Sequence, residues 1–378
     1  SSDVCSSDLP GITSAVFETL APFKVLVLDI EQVVIRDRVI LTILISLNQA
    51  HASAIEEDLN LCASKLGVDI ASSFENKSAD SIAAKSGLLH VVALGNPLAP
   101  GAVAKIATVI ASQSGNIERI HRTASYPVTA IEFVVSGAKA ATLRPALASI
   151  SAQSGVDIAV SPGGLMRQAV KLVVMDMDST LINIECIDEI ADFTGKKSAV
   201  AEITEATMRG EIKDFQESLR RRVALLEGVH ADALESVYRE RLRPNPGATE
   251  LLAGAHERGI YTLLVSGGFT FFTEKLRQQL GFKQTQANTL EIIDGKLTGK
   301  VLGDIVDGAA KAAHLDAACA RLGCTKANAI TMGDGANDLI MMNGSGISVA
   351  YQAKPVVKEK ADAAFDRVGL DAALLLIS

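Results

Sequence analysis

The sequence predicts an α/β protein: a parallel-sheet core under a helical cap, preceded by two βαββαβ (α+β) units. Three observations carry this. The run Lys171-Leu172-Val173-Val174-Met175 ends in Asp176-Met177-Asp178-Ser179-Thr180 and reads as a buried parallel strand delivering carboxylates at its C-terminal end. Residues 185–243 are charge-rich and mostly helical, where an α/β core would alternate strand with helix. The region before the acidic strand repeats itself. Pro-Gly precedes a helix twice (Pro10-Gly11, Pro100-Gly101), and Gly-Val-Asp-Ile recurs at Gly67–Ile70 and Gly155–Ile158.

The bulk properties bound the class. A chain of 378 residues is long enough for two or three domains. Hydrophobic residues make up 48% and charged residues 21%, which predicts a globular protein with an ample core. Lys plus Arg number 36 against 44 Asp plus Glu, and the net charge of −8 argues against nucleic acid or an anionic membrane surface as partner. No apolar run approaches the ~20 residues of a membrane span; Val39–Leu47 is the longest candidate. The five cysteines are scattered, and Cys319 and Cys324 have the wrong spacing for a zinc knuckle, so reduced thiols in a cytoplasmic protein are expected. The start, Ser-Ser-Asp-Val-Cys-Ser-Ser-Asp-Leu, lacks the pattern of a signal peptide and reads as truncated or foreign.

The second repeat, 86–161, predicts a strand at Leu88–Leu94, a loop Asn96–Gly101 and a helix Ala102–Ser112. Strands Asn116–Thr123 and Val128–Val135, a helix Leu143–Ser151 and a closing strand Val156–Val160 complete it. The first repeat, 9–80, predicts a helix to Leu20, strands Lys24–Ile35 and Val39–Leu47, a helix Ala54–Leu66 and a strand Val68–Phe74. Nothing before Pro10 matches the opening strand of the second, so the first is expected to lack it. With Pro-Gly before the first helix and the strand Leu28-Asp29-Ile30-Glu31-Gln32, both units resemble ACT domains, the amino-acid-sensing modules of metabolic enzymes. The resemblance implies an amino-acid effector near Gly11 and Gly101 and a homodimer; turn glycines at a helix start remain the alternative.

After a Pro162-Gly163-Gly164 linker the third domain, 165–378, opens on the acidic strand. The helical insert, about 185–243, reads as a cap over a site. The core resumes with a helix Ala248–Arg258, a strand Ile260–Val265, Ser266-Gly267-Gly268 and a helix Phe271–Leu280. A hairpin Leu290–Leu297 turning at Asp294-Gly295, a helix Gly308–Leu322 and a strand Ala329–Met332 lead into Gly333-Asp334-Gly335-Ala336-Asn337-Asp338.

Side chains i and i+2 of an extended segment share one side, so Asp176 and Asp178 can face one pocket. Two carboxylates that close favour a neighbouring cation. The alternative is an acidic turn that caps the next helix. Ser266-Gly267-Gly268, after a strand and before a helix, suits phosphate, or is a tight turn. Lys311 by itself reads as a surface lysine. The 333–338 loop suits a hard, oxygen-ligated cation such as Mg²⁺.

Taken together, these motifs resemble the haloacid dehalogenase superfamily of phosphohydrolases, whose core is Rossmann-like, and within it the phosphoserine phosphatases. The residues that match are Asp176–Thr180, Glu185, Phe215-Gln216-Glu217-Ser218-Leu219-Arg220-Arg221-Arg222-Val223, Ser266-Gly267-Gly268-Phe269, Lys311 and Gly333–Asp338. The resemblance implies Mg²⁺-dependent hydrolysis of O-phospho-L-serine. Asp176 would be nucleophile and Asp178 acid and base. Asp176, Asp178, Asp334 and the carbonyl of Met177 would lie around the metal, with Asp338 behind them. Ser266, Gly267, Lys311 and Asn337 would hold the phosphoryl group. Glu185 would bind the substrate ammonium and Arg222 its carboxylate, while Met208 and Phe215 close over it. The family pattern Met-x-Gly-x-x-x-Phe is one residue longer here, from Met208 to Phe215. Two alternatives stay open: phosphotransfer to another hydroxyl amino acid, and an amino-acid-binding regulator with a vestigial phosphatase core.

Overall fold

The computed structural model describes residues 11–35, 38–74, 87–126, 128–162, 169–208, 212 and 214–377. The chain divides into two compact units, Ser1–Ala84 and Lys85–Ser378.

In the first unit, helix α1 (Ile12–Leu20) precedes an antiparallel hairpin of β1 (Leu26–Ile35) and β2 (Arg38–Ser46), and α2 (Ala52–Leu66) follows. Val16 and Leu20 of α1 and Ile55 and Leu59 of α2, each spaced one helical turn apart, form its small core. Gly67 ends α2 in the left-handed conformation (φ 66°) that favours glycine. The expected strand Val68–Phe74 does not form: residues 68–74 join no ladder. The second unit supplies the reason. There the closing strand pairs with the opening strand, and no described strand of the first unit stands in that place. The expected loss of an opening strand concerns residues that fall largely outside the described ones.

The second unit begins with the other repeat: β3 (Leu89–Gly95), α3 (Pro100–Ser112), β4 (Asn116–Ala124), β5 (Thr129–Ser136), α4 (Ala140–Ser154) and β6 (Asp157–Pro162). The strands run antiparallel in the order β6-β3-β5-β4. Alternation gives the sheet two buried faces. Leu89, Val91 and Phe133 meet Ile106, Ile110, Leu143 and Leu147, while Val92, Leu94 and Ala159 join the large core of the following residues. Gly101 lies inside the first turn of α3, not in the loop before it.

The core then starts at β7 (Leu172–Met175). The cap holds α5 (Cys186–Asp192), α6 (Lys197–Met208), α7 (Phe215–Ala224) and α8 (Asp232–Ser236). Next come α9 (Ala248–Glu257), β8 (Tyr261–Phe269), α10 (Thr270–Leu280) and the hairpin β9 (Gln284–Ile293)–β10 (Lys296–Leu302). The chain closes with α11 (Gly308–Arg321), β11 (Ala329–Gly333), α12 (Leu339–Met342), β12 (Ile347–Tyr351), α13 (Pro355–Lys358) and β13 (Ala363–Phe365). Strands β9-β8-β7-β11-β12-β13 are parallel. β7 and β11, at the centre, are fully buried and correspondingly apolar.

Two departures matter for the site. Ser266-Gly267-Gly268 belongs to β8 rather than to a turn opening a helix. The second repeat and the core share one eleven-stranded sheet, because β13 pairs antiparallel with β6 (Ala363↔Ala159, Ala364↔Ile158). An ion pair Arg144–Asp362 flanks that join. Asp157 Oδ2 accepts three backbone N–H bonds there, from Asp366 (3.0 Å), Arg367 (2.8 Å) and Val368 (3.0 Å). Most of the expected 162–164 linker lies outside the described residues. Among the described residues no helix is long and apolar enough to cross a membrane.

Candidate active site

The site lies at the carboxyl edge of the parallel strands, where open α/β sheets hold their ligands. Asp176 (φ −74°, ψ 164°) and Asp178 (φ −63°, ψ 132°) have extended backbone on either side of Met177, and the chain turns at Ser179 (φ 58°). The bond from Ile182 N–H to Met177 O, 3.0 Å, closes that turn. Both carboxylates follow directly on β7, which ends at Met175.

β11 delivers the second acidic group. Asp176 is 6% exposed, and Lys311 and Asp338 are fully buried. Lys311 Nζ lies 2.8 Å from Asp176 Oδ2 and 2.7 Å from Asp338 Oδ1. Asp338 Oδ2 accepts the Gly335 N–H at 3.1 Å, so both its oxygens are engaged. Asp334 Oδ1 accepts from Thr180 Oγ1 at 3.0 Å. One oxygen from each of Asp176, Asp334 and Asp338 lies within 4.8 Å of the others. Asp178, expected near the metal, is not in that set.

The electrostatics call for more positive charge than Lys311 carries. Burial pushes Asp176 up to about 7, with Asp338 adding and Lys311 opposing. Burial, then the charges of Asp176, Asp338 and Glu185, lifts Asp334 to about 8. Burial, Glu185 and Asp176 hold Asp178 well above the carboxylate range. Burial would lower Lys311, but the Asp176 and Asp338 carboxylates outweigh it and raise it. Carboxylates crowded in this way suit a hard divalent cation with oxygen ligands.

Ser266 is fully buried, and its Oγ accepts the Gly268 N–H at 2.9 Å. A Cβ at Gly268 would sit 2.7 Å from Met177 Cε and 2.8 Å from Asp178 Oδ2, so only glycine lets β8 come this close to Asp178. Asn337 lies in the short helical turn Ala336–Asp338, one residue before Asp338.

The cap contributes from three places. Glu185, just before α5, accepts from Ser179 Oγ at 2.7 Å. On α7, Arg222 has its Nε buried with no hydrogen-bond partner, and burial lowers its pKa against the charges of Glu185, Asp188 and Asp178. Asp178 Oδ1 is likewise buried and unpartnered. Phe215 opens α7 with its ring against Gly267; a Cβ there would lie 3.1 Å from Phe215 Cζ. Its neighbour Gln216 donates to Asp307 Oδ2 at 2.9 Å, tying the cap to the residue that caps α11.

The structure thus brings together Asp176, Asp178, Asp334, Asp338, Lys311, Ser266, Gly267, Asn337, Glu185, Phe215 and Arg222. Gly101, in α3, takes no part in this constellation, and Gly11 belongs to the first unit. A Cβ on either would meet nothing within 4 Å. Met208 ends α6, and its side chain lies outside the described residues. Thr180 and Gly268 sit inside quoted motifs without having been singled out; the Gln216–Asp307 bond had no local signal.

Residues 173–343 match the family of haloacid dehalogenase-like hydrolases, and 4–73 and 89–161 each match ACT domains. A phosphoserine phosphatase of Streptomyces coelicolor is 45% identical over 380 residues, 99% of this chain and 90% of that protein. The chain belongs to the phosphoserine phosphatase family. Among solved structures, a probable phosphoserine phosphatase from Vibrio cholerae is 33% identical with a TM-score of 0.61, covering 76% of this chain and 86% of that one. A phospho-aspartyl intermediate analogue of phosphoserine phosphatase is 37% identical with a TM-score of 0.52, over 56% of this chain and all of that one. In phosphoserine phosphatase terms, this chain adds two ACT domains to a haloacid dehalogenase core.

Proposed function

We propose that this chain hydrolyses O-phospho-L-serine to L-serine and phosphate through an aspartyl-phosphate on Asp176, the last step of serine biosynthesis. The observation that carries the reading is the unlike pair at the end of β7. Asp176 is ion-paired to Lys311, whereas Asp178, two residues on, has a buried Oδ1 with no hydrogen-bond partner, and burial raises its affinity for a proton. Two acids with environments this different suit two roles.

Asp176 attacks phosphorus, and the P–O bond to the serine oxygen breaks. Asp178 gives its proton to that oxygen, then receives one from the water that attacks the aspartyl-phosphate. Ser266, the Gly267 N–H, Lys311 and Asn337 hold the phosphoryl oxygens as charge redistributes. Asp338, with both oxygens engaged, orients Lys311. Asp176 and Asp334 would hold Mg²⁺, which when bound offsets the negative charge of carboxylate and phosphate; the Met177 carbonyl expected beside them instead accepts the Ile182 N–H. The buried, unpartnered Arg222 Nε supports a fork for the substrate carboxylate, with Glu185 for its ammonium. The related phospho-aspartyl analogue structure supports the covalent intermediate.

Phosphate release from a panel of phosphorylated amino acids tests this, with Asp176→Asn as control. Release from phosphoserine with Mg²⁺ and no added alcohol is expected. Turnover only with an added alcohol acceptor would replace hydrolysis by phosphotransfer. Serine binding without turnover would leave the regulator.

A further inference from the structure

The peptide joining Gly267 to Gly268 is held at both ends. Its carbonyl accepts from Asn288 Nδ2 at 2.8 Å, and its N–H donates to Ser266 Oγ at 2.9 Å. In a trans peptide C=O and N–H point in opposite directions, so fixing one aims the other. Asn288 is 1% exposed on β9, and its Oδ1 accepts the Val306 N–H at 2.8 Å. A carbonyl on one side and an N–H on the other leave its carboxamide only one orientation.

The β8–β9 register breaks between Val265 and Phe269, across Ser266-Gly267-Gly268. The Asn288 side chain supplies a hydrogen bond within the interrupted ladder. Val306 also precedes Asp307, which caps α11 ahead of Lys311 and receives Gln216 from the cap.

We propose that Asn288 is a positioning residue for phosphoryl binding. By fixing the Gly267–Gly268 peptide, it commits an acceptor lone pair of Ser266 Oγ to the Gly268 N–H. The single hydroxyl hydrogen is then left to point at a phosphoryl oxygen. The inference rests on Ser266 being a phosphoryl donor, as in the reading above.

Asn288→Asp isolates the bond. It keeps the shape and the acceptor for Val306 but sets a carboxylate oxygen against the Gly267 carbonyl. A double-mutant cycle with Ser266→Ala is the test, read as kcat/KM for phosphoserine and as the affinity of orthovanadate, which needs no turnover. N288D alone should lower kcat/KM and vanadate affinity about 10–100-fold, the effect of losing a buried polar contact. In the S266A background it should change either by less than about threefold, because it acts through the missing hydroxyl. Full additivity of the two substitutions overturns the proposal, as does a wild-type protein that binds no vanadate. N288A serves if N288D does not fold; failure of both to fold assigns Asn288 to the fold alone and also overturns it. A wild type that binds vanadate yet leaves phosphoserine intact would sink the substrate reading while the vanadate cycle still decides Asn288.

Discussion

Lys311 and Asp176 form a buried ion pair, Nζ to Oδ2 2.8 Å, with neither side chain more than a tenth exposed. An ammonium out of water persists only where carboxylates surround it, and Asp338 on its other side, at 2.7 Å, completes that environment. A lysine that reads as surface from its neighbours in sequence is therefore the hub of the site.

Replacing Lys311 by Met leaves Asp176 and Asp338 buried without their cation. Removing one partner of a buried pair costs about 3–5 kcal/mol in related cases. K311M should lose measurable phosphate release and melt well below the parent in metal-free buffer. Parent-like melting would show the pair to be energetically idle.

Metal dependence and pH are linked. In the metal-free protein Asp176 titrates at about 7 and Asp334 at about 8, against 3.8 for an ordinary aspartate. The folded state then binds more protons than the unfolded between about pH 4 and 8, so stability falls as pH rises through that window and levels off above it. On the proposed reading Mg²⁺ would bind the ionised carboxylates and oppose the trend. The rise in Tm on adding Mg²⁺ to EDTA-treated protein should be larger at pH 8 than at pH 5. An equal rise at both would remove these carboxylates from the metal site.

The cap reading predicts a split by substrate. Arg222→Lys keeps the charge but loses the planar fork. It should raise KM for phosphoserine by about tenfold or more while leaving hydrolysis of p-nitrophenyl phosphate, which has no carboxylate, nearly unchanged. Equal loss on both substrates would point to a damaged core.

At the shared sheet, Asp157→Ala removes the acceptor of three N–H groups at once, of which that of Val368 is buried and those of Asp366 and Arg367 are partly so. A loss of about 2–4 kcal/mol in urea unfolding is expected, since each unsatisfied group costs on the order of 1–3 kcal/mol. The second ACT domain and the core should still unfold in one transition. Two separate transitions in the parent protein would show that the β6–β13 join does not couple them.

The candidate site was readable in the sequence because its signals are local. A strand, two acids at i and i+2, and a glycine-punctuated acidic loop each announce themselves within a dozen residues, and parallel strands deliver their ends to one edge. The same locality explains what could not be read. Residues 68–74 have the composition of a strand, but a strand exists only with a neighbour to bond.

The amino-acid order by itself determined the family, the two ACT repeats, the helical insert and which residues are candidates for the site, through motif spacing that survives any detail of packing. Tertiary structure alone decided that β6 continues the core sheet, that Ser266-Gly267-Gly268 is strand rather than turn, and that Asn288 holds its peptide. Those outcomes depend on pairing between segments up to some two hundred positions apart. Hydrogen-bond partners at that separation are chosen by the folded sheet and leave no mark on neighbouring residues.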